Sequence, residues 1–301
     1  MMLQRLTTRF SQFQIGVFLA IFAATGFAAK AIFVKLAYRH GVDAITLVTM
    51  RMIVALALLQ VIRLWRTEHG EKLTHPQKWA LLGLGLLGYF LSSTLDFIGL
   101  QSVSASLERL ILCLYPTFTV LFSFAIFGTP ISRRVKKALP LTYGGMALVL
   151  LPDLAHAKAD WVGVTFVVAS TLCFALYMSL SPTVIQQVGS MRFTELALTV
   201  SSLAMFAQYL TLRPIETLLK QGAAVWAYAL LMGVFSTILP IYATNAALQR
   251  IGASRTALLG SFGPVLTIIF SLGILGEYLT PVQWLGAAIV LFGIWIVSKK
   301  E

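Results

Sequence analysis

Five ionisable side chains interrupt long apolar runs in the first half of the chain: Lys30, Arg51, Asp96, Glu108 and Arg109. A charge held away from water is costly unless it is paired, so we expect these groups to lie near one another. Three roles stay open. The first is structural pairing, for example of Lys30 or Arg51 with Asp96, and Arg51 is assigned to it. The second is contact with a charged ligand by Lys30, Asp96, Glu108 and Arg109, for which a zwitterion fits both signs. The third is proton binding by Asp96 or Glu108.

Tyrosine and asparagine side chains form a second set of candidates inside apolar runs: Tyr89, Tyr115, Tyr177, Tyr242 and Asn245. A tyrosine hydroxyl away from water needs a hydrogen-bond partner, and asparagine often bridges helices in lipid. Each of these residues can therefore line a cavity and contact a ligand, or bond to a neighbouring helix. Both interpretations stay open at this point.

Patterns for catalysis or metal binding do not occur in the sequence. The histidines are scattered between apolar runs, and there is no HExxH, GxSxG or Walker-type glycine motif. Cys113 and Cys173 lie within apolar runs, which is typical of small buried side chains. We therefore expect no catalytic residue, no metal and no cofactor, and predict that the chain is not an enzyme. A membrane-embedded enzyme is the rival class, with Asp96 and Glu108 as its carboxylate pair.

The amino-acid composition predicts that the segments carrying these candidate residues lie in a lipid bilayer. The chain has 301 residues, of which 58% are hydrophobic and only 11% are charged. Soluble domains carry about 25% charged residues, so a water-soluble globule is excluded. The net charge of +12 does not predict nucleic-acid binding, because the basic residues lie mostly between apolar runs. The lipid bilayer is the expected partner.

Ten apolar runs are long enough to predict membrane-spanning helices, since a span needs about 20 mainly apolar residues. The fold class is therefore all-α integral membrane. The predicted spans are Phe13–Leu36, Ala44–Leu64, Trp79–Leu100, Ala105–Phe127, Val135–Leu151, Trp161–Ser181, Thr194–Leu212, Trp226–Leu248, Ser254–Leu275 and Pro281–Val297.

The connecting segments predict the orientation of these spans. Lys and Arg are retained on the cytoplasmic side during insertion. Segments on the side of the N-terminus hold most of the 23 Lys and Arg residues, whereas the opposite segments hold Arg39, Lys158, Arg213 and Lys220. We therefore expect both termini in the cytoplasm and the chain in the cell (inner or plasma) membrane.

An internal repeat appears when the sequence is shifted by 148 residues. The aligned pairs include Ala105-Ser106 with Ala253-Ser254, Pro116 with Pro264, Phe122-Ser123 with Phe270-Ser271, and Gly128 with Gly276. We assign residues 1–157 to the first repeat and 158–301 to the second, with five spans each. An odd number of spans inverts the second copy, and inverted repeats are typical of secondary transporters. Gly128 is followed by Thr129 where Gly276 is followed by Glu277, a difference to which we assign no role.

Two further patterns concern helix packing. Pro116 and Pro264 lie mid-span in equivalent helices, and each removes an amide that would bond the carbonyl four residues earlier, on Leu112 or Gly260. Such breaks favour contact with protein or a water-filled cavity, although a plain packing kink is the alternative. Small residues recur in the first span as Ala20, Ala24 and Ala28, which predicts close helix packing.

The closing segment Ile274–Trp295 resembles the last spans of ten-helix EamA-type members of the drug/metabolite transporter superfamily. Leu107–Ile111 and Tyr115–Thr117 resemble the fourth span of a subgroup, and Arg51 is similar to an arginine often found in the second span. The resemblance implies export of a small metabolite, amino acids above all, through a cavity lined mainly by spans 1, 3, 4, 6, 8 and 9. The alternative is an importer or exchanger of an organic anion or of a phosphorylated or nucleotide-linked solute. We expect a functional monomer that works by alternating access, with protons as a candidate coupling ion.

Overall fold

The structure is a computed structural model, and it describes residues 11–64, 73–128, 130, 133–155, 160–260 and 262–298. Within these ranges the chain is helical and contains no strand. The helices are α1 (Gln12–Tyr38), α2 (Ala44–Leu64), α3 (His75–Gly99), α4 (Ala105–Leu112), α5 (Tyr115–Phe127), α6 (Arg133–Ala155), α7 (Trp161–Val188), α8 (Ser190–Leu212), α9 (Ile215–Leu219), α10 (Ala223–Gly233), α11 (Leu239–Gly260), α12 (Gly263–Phe270) and α13 (Pro281–Ser298).

Seven helical segments of the described chain are long and apolar enough to cross a membrane. They are Gln12–Tyr38, Ala44–Leu64, His75–Gly99, Ala105–Phe127, Trp161–Val188, Met191–Leu212 and Ala223–Thr244. Two shorter apolar segments, Gly263–Leu275 and Pro281–Gly293, follow. The all-helical membrane class is therefore confirmed, and the count of ten spans stays a prediction. Helix α6 covers the predicted span Val135–Leu151 and contains Pro140 and Pro152.

One predicted connection between spans is helical in the structure. Residues 249–253 were expected to connect two spans, but α11 remains helical from Leu239 to Gly260. This stretch holds Gly252 and no proline. A lone glycine costs a helix only about 1 kcal/mol relative to alanine, so the helix continues where a connection was expected.

Backbone irregularities recur at a spacing of 148 residues. Wide π-helical turns begin at Leu86 and at Val234, and the helix breaks before α5 and α12 end at Tyr115 and Gly263. Left-handed glycines end the following segments, Gly128 with φ of 66° and Gly276 with φ of 70°. Because glycine has no Cβ, it adopts this conformation without steric cost. The two halves of the chain therefore share local conformation as well as sequence.

The helices of the two halves also pack in a reciprocal pattern. Helix α1 packs along α11, and α3 packs along α7. Helix α2 packs against α8, and α6 packs against α13. Each of these four pairs therefore joins one helix from residues 12–155 with one helix from residues 161–298. The largest buried apolar cluster, which includes Phe97 and Tyr209, joins α1, α2, α3, α8 and α10.

Small residues let α1 approach its neighbours closely, as their spacing predicts. Ala20, Ala24 and Ala28 are all buried. Ala20 packs with Ala247 of α11, and the Ala28 carbonyl accepts a hydrogen bond of 3.2 Å from the Thr267 hydroxyl of α12. Helix α1 thus packs mainly against helices of the second half, which places Lys30 in the interior.

A glycine contact fixes the crossing of α6 and α13 and gives a testable prediction. A Cβ on Gly145 would lie 2.9 Å from the Gly286 carbonyl oxygen, whereas a Cβ on the adjacent Gly144 would meet nothing within 4 Å. We expect Gly145→Ala to lower the free energy of unfolding by about 1–3 kcal/mol through overpacking. The control Gly144→Ala should be neutral or stabilising by about 0.5–1 kcal/mol, since alanine favours helix. Thermal unfolding of the purified variants measures both, and equal midpoints would contradict this crossing.

Candidate functional site

A buried ion cluster joins three helices of the first half. The Lys30 ammonium of α1 lies 2.5 Å from Asp96 Oδ2 of α3 and 2.9 Å from Glu108 Oε1 of α4. The three side chains are 17%, 5% and 0% exposed, so water reaches them little. Lys30 pairs with Asp96, which is one of the pairings considered from the sequence. Glu108 joins the same ammonium from a segment of the chain 78 residues away.

The cluster is incomplete in both charge and hydrogen bonding. Asp96 Oδ1 and Glu108 Oε2 are buried and have no hydrogen-bond partner in the described part of the chain. Two ionised carboxylates around one ammonium carry a formal charge of −1, which is expensive away from water. A proton, or a cationic group of a bound molecule, would supply both the missing charge and the missing donor. The arrangement is therefore suited to bind either one.

Arg109 follows Glu108 but lies against the other half of the protein. A Cβ on Gly263, the first residue of α12, would lie only 2.6 Å from Arg109 Nη2, so the guanidinium occupies space that the glycine leaves open. The buried Arg109 Nε has no hydrogen-bond partner, and Arg109 forms no ion pair, among the described residues. A half-buried guanidinium without an ion-pair partner among the described residues presents a fork of donors that suits a carboxylate.

Arg51 has different surroundings, and the structural role assigned to it stays a prediction. Its guanidinium carbon lies 4.8 Å from the centre of the Phe97 ring, within range of a cation–π interaction. Its Nη2 donates to the sulfur of Met52 at 3.6 Å. Arg51 is buried on α2 and makes no direct ion pair with Asp96 in the described structure. The aromatic face thus replaces the carboxylate considered as its partner.

Three of the four candidate tyrosines lie in one aromatic cluster. Tyr177 of α7 donates a hydrogen bond of 3.1 Å to the Tyr89 hydroxyl of α3. The Phe174 ring packs against the rings of both Tyr115 and Tyr177. The Tyr177 ring is buried and also stacks on Phe193 of α8. The cluster joins both halves of the chain, because Tyr89 and Tyr115 belong to the first half and Tyr177 to the second.

The other two polar candidates lie apart from that cluster. Tyr242 of α11 donates a hydrogen bond of 3.1 Å to Glu195 Oε1 of α8, which is the interhelical contact considered for it. Asn245 belongs to α11, but its side chain lies outside the described part of the structure.

The two prolines lie where the sequence predicts a broken helix, but each one begins a helix and does not kink it. Pro116 is in the first turn of α5, and Pro264 is in the first turn of α12. Proline suits this position, because the first amides of a helix have no intrahelical partner. Arg109 Nη2 lies beside Gly263 at the start of α12, so a charge that has no ion-pair partner in the described structure lies next to the first turn of this helix. The Pro116 side chain lies outside the described part.

Glu277 is a site residue that the sequence analysis missed. Its Oε1 accepts from the Ala105 amide at 3.1 Å, and its Oε2 accepts from the Ser106 amide at 3.3 Å. The hydroxyls of Ser106 and Ser271 donate to the same Oε2. Glu277 thus caps the N-terminus of α4, where the helix dipole favours an anion. The difference between Gly128-Thr129 and Gly276-Glu277 was the sequence pattern that could have identified it.

Two small cavities border Glu277 at this end of the helices. One of about 290 Å³ is lined by Lys35, Tyr38, Arg39, Gln101, Leu275 and Glu277. The other, of about 330 Å³, also includes Asp160 and Gln283. Hydrogen bonds from the Ser102 hydroxyl and the Gly163 amide hold the pKa of the exposed Asp160 carboxyl below its usual value. Asp160 therefore stays ionised and ties the loop after α3 to the start of α7.

Comparison with known proteins assigns the family. The model of the EamA-like transporter family matches residues 14–151 and again residues 161–299. The chain belongs to the EamA-like transporter family. Its family and relatives are named as transporters, which are not enzymes, and this agrees with the sequence-based expectation. As an EamA-like protein it is a multi-pass membrane protein, with lipid and a small-molecule substrate as its partners.

Relatives of this EamA-like chain are transporters whose substrates are not named. An uncharacterized transporter of Bacillus subtilis, YcbK, is 29% identical over 286 residues, which is 92% of this chain and 90% of YcbK. A second one, YyaM, is 25% identical over 71% of each chain. A solved crystal structure has the same fold, with a TM-score of 0.60 and 16% identity over 95% of this chain and 96% of the other.

Proposed function

We propose that this EamA-like protein is a secondary transporter that exports a small metabolite, with amino acids as the leading substrate class, by alternating access. The observation that carries the proposal is a pair of incomplete charged sites at adjacent residues of α4. Glu108 contributes to a cluster short of positive charge, and Arg109 is a cation without an anion in the described structure. The outward direction rests on the family resemblance.

The solute class follows from the two signs of charge. The open oxygens of Asp96 and Glu108 suit an ammonium group, and the guanidinium of Arg109 suits a carboxylate. An α-amino acid carries both groups on one carbon atom. A multiply anionic solute, such as a phosphorylated or nucleotide-linked compound, is disfavoured because the two carboxylates would repel it. The aromatic cluster around Tyr177 offers an apolar surface for a side chain.

The architecture proposed for this cycle is ten spans in two inverted halves, residues 1–157 and 158–301. Three observations support it: the family model matches twice, the backbone irregularities recur 148 residues apart, and the helices pack reciprocally. Two inverted halves can rock about a central site and expose it to each side in turn. An even number of spans keeps both termini on one side, and the distribution of basic residues favours the cytoplasm.

A proton is the proposed coupling ion. Asp96 and Glu108 share the single ammonium of Lys30. Their other oxygens, Asp96 Oδ1 and Glu108 Oε2, are buried without a hydrogen-bond partner in the described structure, where a second negative charge is costly. A proton bound there and a solute ammonium bound there would occupy the same site. Mutually exclusive binding of this kind is the simplest basis for exchange of a proton for a solute across the membrane.

Flux through purified protein in liposomes tests the proposed function. We expect a labelled α-amino acid from a panel to cross the membrane, and an imposed pH gradient to raise the rate. The conservative variants Asp96→Asn and Glu108→Gln should remove the effect of the gradient, since the amide cannot carry the proton. Protein-free liposomes are the control. Flux of no solute in the panel would contradict the transporter proposal, and an unchanged pH effect in both variants would contradict proton coupling alone.

A further inference from the structure

The Glu277 carboxylate is a contact between the two halves of the protein. Glu277 follows the second-half segment that ends at Leu275, and it binds the first turn of α4 in the first half. Left-handed Gly276 turns the chain back at this point, and the Glu277 amide donates to the Ser271 carbonyl at 3.2 Å. The carboxylate is thereby aimed at the Ala105 and Ser106 amides and is not free to point into solvent.

Two neighbouring bonds close the same end of the helix bundle. Arg39, just after α1, donates to the Leu275 carbonyl at 3.2 Å. Tyr38, the last residue of α1, donates to the Phe97 carbonyl of α3 at 2.6 Å. Both tie the end of α1 to other helices beside the cavity that Glu277 borders. The contacts at this end therefore link α1, α3, α4 and the segment after α12.

The Glu277 contact lies on the same short helix, α4, as the charged residues Glu108 and Arg109. Ala105 and Ser106 lie three residues before Glu108 and Arg109, which is about one helical turn. Helix α4 has only eight residues before it breaks at Cys113, so a movement of its first turn also moves its last. Glu277 thus holds the short helix that presents both charges.

We propose that Glu277 is a latch that closes this end of the transporter and positions Glu108 and Arg109 while it is closed. The inference rests on the proposed transport function, because a latch of this kind must open once in each cycle. It can open reversibly because Glu277 is only half-buried and borders two cavities, so water can replace its four hydrogen bonds. The Lys35 side chain lines one of these cavities and offers the released carboxylate an alternative partner.

Thiol labelling in lipid nanodiscs tests the latch without any measurement of transport. Leu107 of α4 is 9% exposed and lines the cavity beside Glu277, so Leu107→Cys in a background lacking Cys113 and Cys173 reports the opening of α4. We expect Glu277→Gln to raise the reaction rate of this cysteine with a polar maleimide about tenfold, because charge-assisted bonds to two amides become weak neutral ones. Glu277→Asp keeps the negative charge on a shorter side chain, so the Leu107→Cys reporter should react at a rate between those of the parent protein and Glu277→Gln.

Two controls separate a local latch from loss of fold. Glu216→Gln makes the same change in the first turn of α9 and should leave the rate unchanged. A second reporter, Met205→Cys, is fully buried on α8 and should stay unreactive in Glu277→Gln. Equal labelling of the Leu107 reporter with and without Glu277→Gln would overturn the latch, and so would a parallel rise at Met205. Increased labelling in a protein that carries no solute would retain the latch and reject the transport function.

Discussion

Replacing Arg109 with glutamine is expected to reduce amino-acid transport about 100-fold while the protein stays folded. Arg109 makes no ion pair within the described structure, so its removal leaves no buried partner stranded there. The solute carboxylate, by contrast, would enter the membrane interior without a cation. Truncating one partner of a buried charge pair costs about 2–5 kcal/mol, which corresponds to a factor of about 30 to 4,000 in binding, and the expected 100-fold loss lies within this range. Initial rates of uptake over a range of solute concentrations measure the change.

Two matched variants control this prediction. Arg250→Gln removes an exposed arginine on α11 that bonds its own helix through the Ala246 carbonyl, and it should transport normally. Arg109→Lys keeps the charge but loses the planar fork of donors, and we expect an intermediate loss. The thermal midpoint of Arg109→Gln should remain near that of the parent protein. Parent-like uptake by Arg109→Gln would show that this residue does not bind the solute.

Replacing Lys30 with methionine is expected to destabilise the protein by about 3–5 kcal/mol, because Asp96 and Glu108 then share a buried site without a cation. Methionine keeps a similar volume and flexible shape, so the loss reports charge more than packing. Thermal unfolding in detergent measures the effect. We also expect the destabilisation to shrink at low pH, where protonation of either carboxyl removes the repulsion.

Neutralising the two carboxylates in the Lys30→Met variant tests whether unpaired charge causes its loss of stability. In the background Lys30→Met, the further changes Asp96→Asn and Glu108→Gln remove both stranded charges and should recover most of the lost stability. Lys35→Met changes a lysine near the end of the same helix that forms no salt bridge with Asp96 or Glu108 in the described structure, and it should cost little. A triple variant that stays as unstable as Lys30→Met alone would show that charge is not the cause.

Long apolar runs and the spacing of small residues predict much of the helical fold. The spans Ala44–Leu64 and Ala105–Phe127 have the bounds predicted for them, because long apolar runs in lipid must be helical. Close packing by Ala20 and Ala28 also follows from spacing alone. The continuous helix across residues 249–253 does not, since basic and small residues there favoured a connection and only the packed structure shows the backbone path.

The candidate site was predictable as a set of residues but not as a set of partners. The cost of buried charge brings Lys30 and Asp96 together from sequence alone. It does not reveal that one ammonium binds both Asp96 and Glu108, or that the Phe97 ring takes the place of a carboxylate beside Arg51. Glu277 differs in sequence from its counterpart Thr129 in the first half, but this difference does not reveal its partners, which are backbone amides of a distant helix.

Counterflow in proteoliposomes determines whether a solute bound by the Lys30–Asp96–Glu108 cluster and Arg109 crosses the membrane by alternating access. Vesicles are preloaded with an unlabelled amino acid at high concentration, and the same amino acid is supplied outside in labelled form at trace concentration. A carrier that exposes one site to each side in turn accumulates label transiently above equilibrium, and we expect this for the parent protein but not for Arg109→Gln. Accumulation by neither protein for any amino acid, or equal accumulation by both, would contradict the account.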